Sequence, residues 1–214
     1  AEVIRQKTGM NLSPYFPASK IAWLLENEEG AKEAAERHEI CHGTIDSWLV
    51  FKLTEGKEYR TDYSNASRTQ LFTIFDLKWD DEICKLFGID PANMAEVTDS
   101  DACFGETDFE GLLPHKIPIH GVLGDSHGSL FGQGCLQPGM IKSTYGTGSS
   151  IMMNIGEKPI LSTHGVVTSL AWKIGGKVNY VLEGNLNYTG AVITWLKDDL
   201  QIIASPGETG PLAK

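Results

Sequence analysis

Apolar residues recur at helical spacing in much of the first half of the chain. Pro17 suits the first turn of a helix that Gly30 is expected to end. Shorter helices are predicted for residues 31–37 and 80–87, and the polar residues 60–68 are predicted to form turns. Thr44 fits the N-cap of a further helix, whose apolar face is predicted to consist of Ile45, Trp48, Leu49 and Leu53.

Strand patterns dominate the second half, so the chain as a whole is predicted to be α/β. A strand over residues 117–123 is expected to run straight into Asp125, after which a short helix can start. Gln137-Pro138-Gly139 marks a break, and we place a domain boundary there. Beyond it the pattern predicts a hairpin of strands 141–145 and 149–155, strands 166–172 and 178–183, and a helix over 189–200.

Charge and cysteine usage narrow the range of partners. Eighteen Lys and Arg against 28 Asp and Glu give a net charge of −10, which argues against a nucleic-acid groove or an anionic membrane surface. An anionic ligand such as a nucleotide would have to be held by local backbone amides and a metal ion and not by the overall charge. The four cysteines are scattered without a CxxC pair, and no apolar run approaches about 18 residues, so a cytoplasmic location is expected.

Three segments carry candidate chemistry. Gly124–Gly128 presents Asp125 beside glycines that allow a ligand close to the backbone. The turn Gly146–Gly148 can aim amides and a hydroxyl at phosphate oxygens, and Gly190 can open a helix against a nucleotide. Read singly, these features are also typical of a helix cap, a tight hairpin with positive φ and an ordinary helix start.

Taken together and in order, these segments resemble the FGGY family of carbohydrate kinases. The resemblance extends over almost the whole chain. It is carried by GTIDSWL at 43–49, TDYSNASRT at 61–69, FGQG at 131–134 and TYGTG at 144–148. It implies parts of two actin-like (ribonuclease H-like) lobes with sugar and ATP between them. Residues 1–136 would be the later part of the N-lobe, on the sugar side, and 137–214 the beginning of the C-lobe, on the nucleotide side.

The resemblance also implies roles for individual residues. Asp125 would be the general base that takes a proton from the acceptor hydroxyl when ATP, with Mg²⁺, gives up its γ-phosphoryl group. The other residues expected to bind the sugar or polyol are Tyr15, Ser126 and His127. Those expected on the nucleotide side are Gly146, Thr147, Gly148, Gly190 and Thr194. No protein metal site is expected, and a homodimeric assembly is left open.

Two departures from the glycerol kinase pattern bear on the substrate. Ser126 stands where those kinases carry a polyol-binding Gln, and Ser150 stands where they carry an aromatic residue. Smaller side chains leave room for a longer acceptor, so a pentulose such as xylulose is favoured. Two alternatives remain open: a glycerol kinase, and a catalytically incomplete actin-like fragment that acts only as a binding module.

The resemblance places further family segments outside the 214 residues. The first phosphate-binding turn, with its metal-associated Asp, would precede Ala1, and an adenine-binding segment would follow Lys214. The isolated 214 residues are therefore expected to be inactive. The chain also contains HEICH at 38–42, which matches a zinc-binding pattern, and GDS at 124–126, which matches the opening of a serine-hydrolase motif. Neither has the partner residues that its chemistry requires.

Overall fold

The computed structural model describes residues 1–214 and contains nine α-helices and ten β-strands. The helices are α1 (Glu2–Thr8), α2 (Pro17–Asn27), α3 (Ala31–Glu36), α4 (Ile45–Leu53), α5 (Tyr63–Ala66), α6 (Asp81–Leu86), α7 (Asp125–Gly132), α8 (Gly190–Asp198) and α9 (Thr209–Leu212). The strands are β1 (Arg60–Asp62), β2 (Phe72–Thr73), β3 (Lys78–Trp79), β4 (Glu96–Thr98), β5 (Cys103–Thr107), β6 (Ile117–His120), β7 (Ile141–Tyr145), β8 (Ser149–Gly156), β9 (Val167–Ile174) and β10 (Lys177–Leu186). None of the helices, of which α2 is the longest at 11 residues, has the length and apolar character that crossing a bilayer requires.

The first helices pack around one apolar core. Ile21 and Leu25 of α2 meet Ile83 of α6 in this core. Pro17 occupies the first turn of α2, as predicted, but the helix ends at Asn27 rather than at Gly30. Gly30 instead adopts a φ of 75° directly before α3, a conformation that a glycine adopts without steric cost.

Helix α4 forms where it was predicted, but its apolar face is not its buried face. Trp48 is 53% exposed and Leu49 is 51% exposed, whereas the small Ser47 is completely buried. Ser47 packs against Gly43, where an added Cβ would lie 2.2 Å from the Ser47 hydroxyl oxygen. The buried face of α4 is formed by Ser47 and Val50, and the predicted apolar residues Trp48 and Leu49 lie outside it.

The prediction of turns for residues 60–68 is wrong, because this segment forms strand β1 and helix α5 and is largely buried. Asp62, Ser64 and Ser67 have no exposed surface. The Asp62 carboxylate caps α5 by accepting hydrogen bonds from the backbone N–H groups of Ser64 and Asn65, each at 3.0 Å. The polar side chains are tolerated inside because they are hydrogen-bonded there.

The second half is built on a four-stranded antiparallel sheet in the order β7-β8-β10-β9. The predicted hairpin is confirmed, with Gly146–Gly148 joining Tyr145 to its partner Ser149. Neither glycine of this connection has a positive φ, so the expectation of a positive-φ turn was wrong. Helix α7 packs on this sheet through Leu130.

A second contact to the sheet comes from the first half of the chain. Tyr63 and Phe72 share a core with Leu170 of β9 and Tyr180 of β10. The Ser67 hydroxyl also accepts a hydrogen bond from the Leu170 N–H at 3.2 Å. The sheet is therefore held to the first half on two sides, by α7 and by α5.

Candidate active site

Asp125 lies at the N-terminus of α7 and not at the end of a strand. Strand β6 ends at His120, and Gly121 follows with a φ of 87°, which breaks the predicted strand before it reaches Leu123. The Asp125 side chain is exposed and forms no ion pair. Its single hydrogen bond within the chain comes from the Ser126 N–H, at 2.6 Å. Its remaining lone pairs are free for a ligand.

Two hydrogen bonds to distant parts of the chain anchor the turn before Asp125. The Gly124 N–H donates to the Ser64 hydroxyl at 2.9 Å. The Val122 N–H donates to the Ser100 carbonyl at 3.0 Å. The loop that carries Asp125 is thus tied to α5 and to the loop between β4 and β5, although it has no regular secondary structure of its own.

His127 lies beneath this turn and is only 3% exposed. One ring nitrogen, Nε2, is 3.3 Å from the Ser169 hydroxyl, and a Cβ at Gly124 would lie 2.8 Å from the other, Nδ1. Burial lowers the pKa of His127 to about 3, with the positive charges of Arg68 and Lys142 acting in the same direction. The ring is therefore neutral, and it packs under the Gly124 turn instead of being exposed as a sugar-binding group would be. Ser126 beside it is partly exposed.

A cluster of charged side chains lies on the face of the sheet next to α7, and the sequence did not predict it. Lys142 and Glu183 both stand in register with Met152, so all three side chains point to the same face. The Glu183 carboxylate lies 2.5 Å from Arg68 Nη1 and accepts a hydrogen bond from the Ser150 hydroxyl at 3.1 Å. The alternation of side chains along each strand could have indicated which residues share a face, but only if the pairing of the strands had been known.

Lys142 is 1% exposed and donates a hydrogen bond to the Thr144 hydroxyl at 2.9 Å. Burial lowers the pKa of this ammonium group, and the charges of Glu183 and Asp125 oppose that shift. The candidate base therefore lies within electrostatic range of a buried lysine. Lys142, Glu183 and the partly buried Arg68 together form what we call the charged cluster.

The predicted nucleotide residues come together at one end of the sheet. The Gly190 N–H donates to the Gly146 carbonyl at 2.9 Å, and the Ala191 N–H donates to the Thr147 carbonyl at 3.1 Å. A Cβ on Gly190 would lie 2.5 Å from the Gly146 oxygen, so only glycine permits this contact. Thr194, one helical turn further, is exposed.

The Gly146–Gly148 turn keeps donors available on its outer side. The N–H groups of Thr147 and Gly148 have no acceptor within the chain, and the Thr147 side chain is exposed. Adjacent free amides of this kind are typical of anion-binding turns.

Tyr15 is 75% exposed and packs edge-on against Phe16, with ring centroids 5.3 Å apart. The guanidinium carbon of Arg68 lies 5.3 Å from the centre of the Phe16 ring. Because Arg68 pairs with Glu183, the segment that carries Tyr15 is connected to the charged cluster.

Two surface cavities, of about 640 and 520 Å³, lie away from these residues. The larger is bounded by α2, α3 and α6, and the smaller by Pro138 and strands β8 and β10. Neither is lined by a predicted site residue. The HEICH segment is not helical: His38 follows α3 with its Nδ1 2.7 Å from Asn93 Oδ1, and His42 forms a bridge to Met94.

Comparison with known proteins identifies the family. Residues 1–132 match the N-terminal domain of the FGGY family of carbohydrate kinases, and residues 141–214 match its C-terminal domain. The chain is 52% identical to glycerol kinase 1 of Thermotoga maritima over 210 residues, and 50% identical to glycerol kinase of Carboxydothermus hydrogenoformans over 208 residues. These alignments cover 98% and 97% of the chain but only 42% of each relative, so the chain spans less than half the length of the relatives it matches.

Solved structures give the same answer. The structure of Plasmodium falciparum glycerol kinase with ADP superimposes with a TM-score of 0.89 at 36% identity, over 97% of this chain and 41% of that one. A ligand-bound xylulose kinase from Lactobacillus acidophilus, at 20% identity and a TM-score of 0.77 over 92% of this chain and 39% of that one, shares the fold. The predicted fold class is confirmed: the chain comprises parts of the two lobes of an actin-like fold and belongs to the FGGY family of carbohydrate kinases.

Proposed function

We propose that this chain is the central section of an ATP-dependent polyol kinase that phosphorylates glycerol, with Asp125 as the general base. The sequence alone favoured a pentulose such as xylulose. The relatives that are about half identical to the chain are glycerol kinases, whereas the xylulose kinase compared above is 20% identical. The glycerol alternative is therefore the better supported one.

The observation that carries the proposal is the state of the Asp125 carboxylate. It is exposed, forms no ion pair and is supported by a turn with two anchored backbone amides. A general base needs lone pairs free for the acceptor hydroxyl and a fixed position relative to the phosphoryl donor. Phosphoryl transfer requires little more of the protein than this positioning together with charge stabilisation.

The nucleotide side fits a phosphate group. The free N–H groups of Thr147 and Gly148 and the exposed Thr147 hydroxyl would face phosphate oxygens, next to the N-terminus of α8. No group of three or more His, Cys, Asp or Glu residues forms a metal site in the described chain. Mg²⁺ commonly binds through substrate phosphates, water and one or two carboxylates, so it would arrive with ATP and supply charge neutralisation.

Replacing Asp125 by Asn in the full-length gene product tests the catalytic assignment. We expect ATP-dependent glycerol phosphorylation to fall by about 10²- to 10⁴-fold, the usual contribution of a general base, while glycerol binding persists. Asp76→Asn is the matched control, because Asp76 is also an exposed carboxylate but lies in the turn between β2 and β3. Turnover by Asp125→Asn within a few-fold of the wild type would contradict the proposal.

A panel of acceptors tests the substrate. Glycerol, longer polyols and pentuloses should be compared by kcat/KM, because Ser126 and the Glu183-bound Ser150 depart from the glycerol kinase pattern. A pentulose with the highest kcat/KM would restore the first interpretation. ATP and polyol binding without any turnover in the full-length gene product would instead favour the binding-module alternative.

A further inference from the structure

We infer that Asp62 and Ser64 are positioning residues that hold the backbone before Asp125 in its working place. The inference rests on the proposed function for its catalytic consequence, but the hydrogen bonds that carry it can be tested without activity. Neither residue was singled out from the sequence, since both fall in the segment predicted to form turns.

The Asp62 carboxylate is a fully buried hub of hydrogen bonds. Its Oδ1 accepts from the Ser64 hydroxyl at 2.9 Å, from the Asn65 N–H at 3.0 Å and from the Asn65 side-chain amide at 2.9 Å. Its Oδ2 accepts from the Ser64 N–H at 3.0 Å and from the Ser100 hydroxyl at 2.7 Å. All five partners donate, so they select the ionised carboxylate, which can only accept.

Burial disfavours the ionised form of Asp62. It raises the pKa of Asp62, and the hydrogen bonds from Ser100, Asn65 and Ser64 oppose the increase. A buried carboxylate without a cationic partner is costly unless its lone pairs are satisfied. The five hydrogen bonds offset the cost of burying this carboxylate. The carboxylate in turn fixes the orientation of the Ser64 and Ser100 hydroxyl groups that donate to it.

Ser64 and Ser100 each accept a hydrogen bond from the turn before Asp125. The Ser64 hydroxyl donates its hydrogen bond to Asp62, so its oxygen can accept one from the Gly124 N–H, at 2.9 Å. Ser100 likewise donates its hydroxyl to Asp62, and its carbonyl accepts the Val122 N–H at 3.0 Å. The backbone is thus held on both sides of Leu123, within three residues of the candidate base.

This arrangement matters because Asp125 has no positioning contact of its own beyond the Ser126 N–H. The place of its carboxylate relative to a bound hydroxyl depends on the backbone that precedes it. A displacement of about 1 Å in a reacting group can reduce the rate by about 10²-fold. Losing the Ser64 contact should therefore reduce the catalytic rate more than it weakens polyol binding.

Ser64→Ala tests the inference, and Ser67→Ala is its matched control. Both serines lie at the α5 region with no exposed surface, and each accepts a backbone N–H from a remote segment: Gly124 for Ser64 and Leu170 for Ser67. In the full-length gene product we expect Ser64→Ala to lower kcat for glycerol about tenfold or more with little change in KM. Ser67→Ala should lose comparable stability while its kcat stays near the wild-type value.

Hydrogen exchange at the Gly124 amide supplies a readout that does not need turnover. We expect this amide to exchange faster in Ser64→Ala and at the wild-type rate in Ser67→Ala. Unchanged Gly124 exchange in Ser64→Ala, or an equal loss of kcat in both variants, would overturn the inference. If the wild type phosphorylates no polyol, the proposed function fails while the exchange comparison still decides whether Ser64 anchors the turn.

A second variant covers the possibility of misfolding. Ser64→Cys changes the side-chain volume little but replaces a good acceptor with a weak one. If Ser64→Ala does not fold, faster Gly124 exchange in a folded Ser64→Cys protein supports the inference, and wild-type exchange in that protein refutes it.

Discussion

The buried imidazole of His127 should make the stability of the protein fall on acidification. Its pKa is lowered to about 3 in the folded chain, whereas the ordinary value is 6.5. Between these two values the unfolded chain binds a proton at this residue and the folded chain does not. The free energy of unfolding must then rise with pH across the window, by about 1.4 kcal/mol per pH unit. The stability that the fold gains by keeping His127 neutral is fully present above pH 6.5 and is lost as the pH falls towards 3.

The magnitude can be set for a practical range. From pH 6.5 to pH 5 the window covers 1.5 pH units, so this one residue should cost about 2 kcal/mol. His127→Gln removes the titrating group and retains a side chain able to hydrogen-bond Ser169. Measured by urea unfolding, the free energy of unfolding of the wild type should fall by about 2 kcal/mol more than that of His127→Gln between pH 6.5 and pH 5.

A control separates titration from general destabilisation. Leu130→Ala removes a completely buried side chain from the same helix, which should cost about 2–5 kcal/mol without introducing or removing an ionisable group. Its pH dependence should therefore parallel that of the wild type. Parallel curves for the wild type and His127→Gln between pH 7 and pH 5 would refute the reasoning.

Three further predictions concern the charged cluster and the nucleotide turn. Glu183→Ala leaves Arg68 without its buried partner and should lower the free energy of unfolding by about 3 kcal/mol, whereas Glu39→Ala at an exposed pair should leave it unchanged, as urea unfolding can show. Lys142→Met should make the protein more stable at pH 7, because burial lowers the pKa of Lys142 and the charged form is therefore disfavoured in the fold; a lower urea midpoint would contradict this. Gly190→Ala should lower the melting temperature because its Cβ would meet the Gly146 oxygen at 2.5 Å, whereas Gly132→Ala, which meets open space, should not.

Local signals were enough to predict most of the regular elements. Pro17 begins α2, the Asp80 side chain caps α6 by accepting from the Ile83 N–H, and the glycine turn joins β7 to β8. Each of these features is decided within a few residues of sequence, by a fixed φ, a capping carboxylate or a short connection. That is why the pattern alone located them.

The buried polar residues could not be predicted in this way. Asp62 and Ser64 look like ordinary turn residues until Ser100 and Gly124 are brought to them, 38 and 60 positions further along the chain. Glu183 looks like a surface charge until Arg68, far away in sequence, pairs with it. The resemblance to a kinase family indicated that residues 61–69 matter, but only the tertiary contacts show what these side chains do.

The charges near Asp125 are consistent with the neutral acceptor proposed above. With Lys142 protonated, the two cations and Glu183 of the charged cluster sum to one positive charge, and the Asp125 carboxylate lies within electrostatic range of Lys142. His127 adds nothing, because burial keeps it neutral. An anionic acceptor would bring a second negative charge beside the Asp125 carboxylate and would be repelled by it on binding, whereas a polyol would not. In the proposed reaction the phosphoryl group carries its own charge, which Mg²⁺ and the Gly146–Gly148 amides would offset, so the proposed acceptor side requires no further cation.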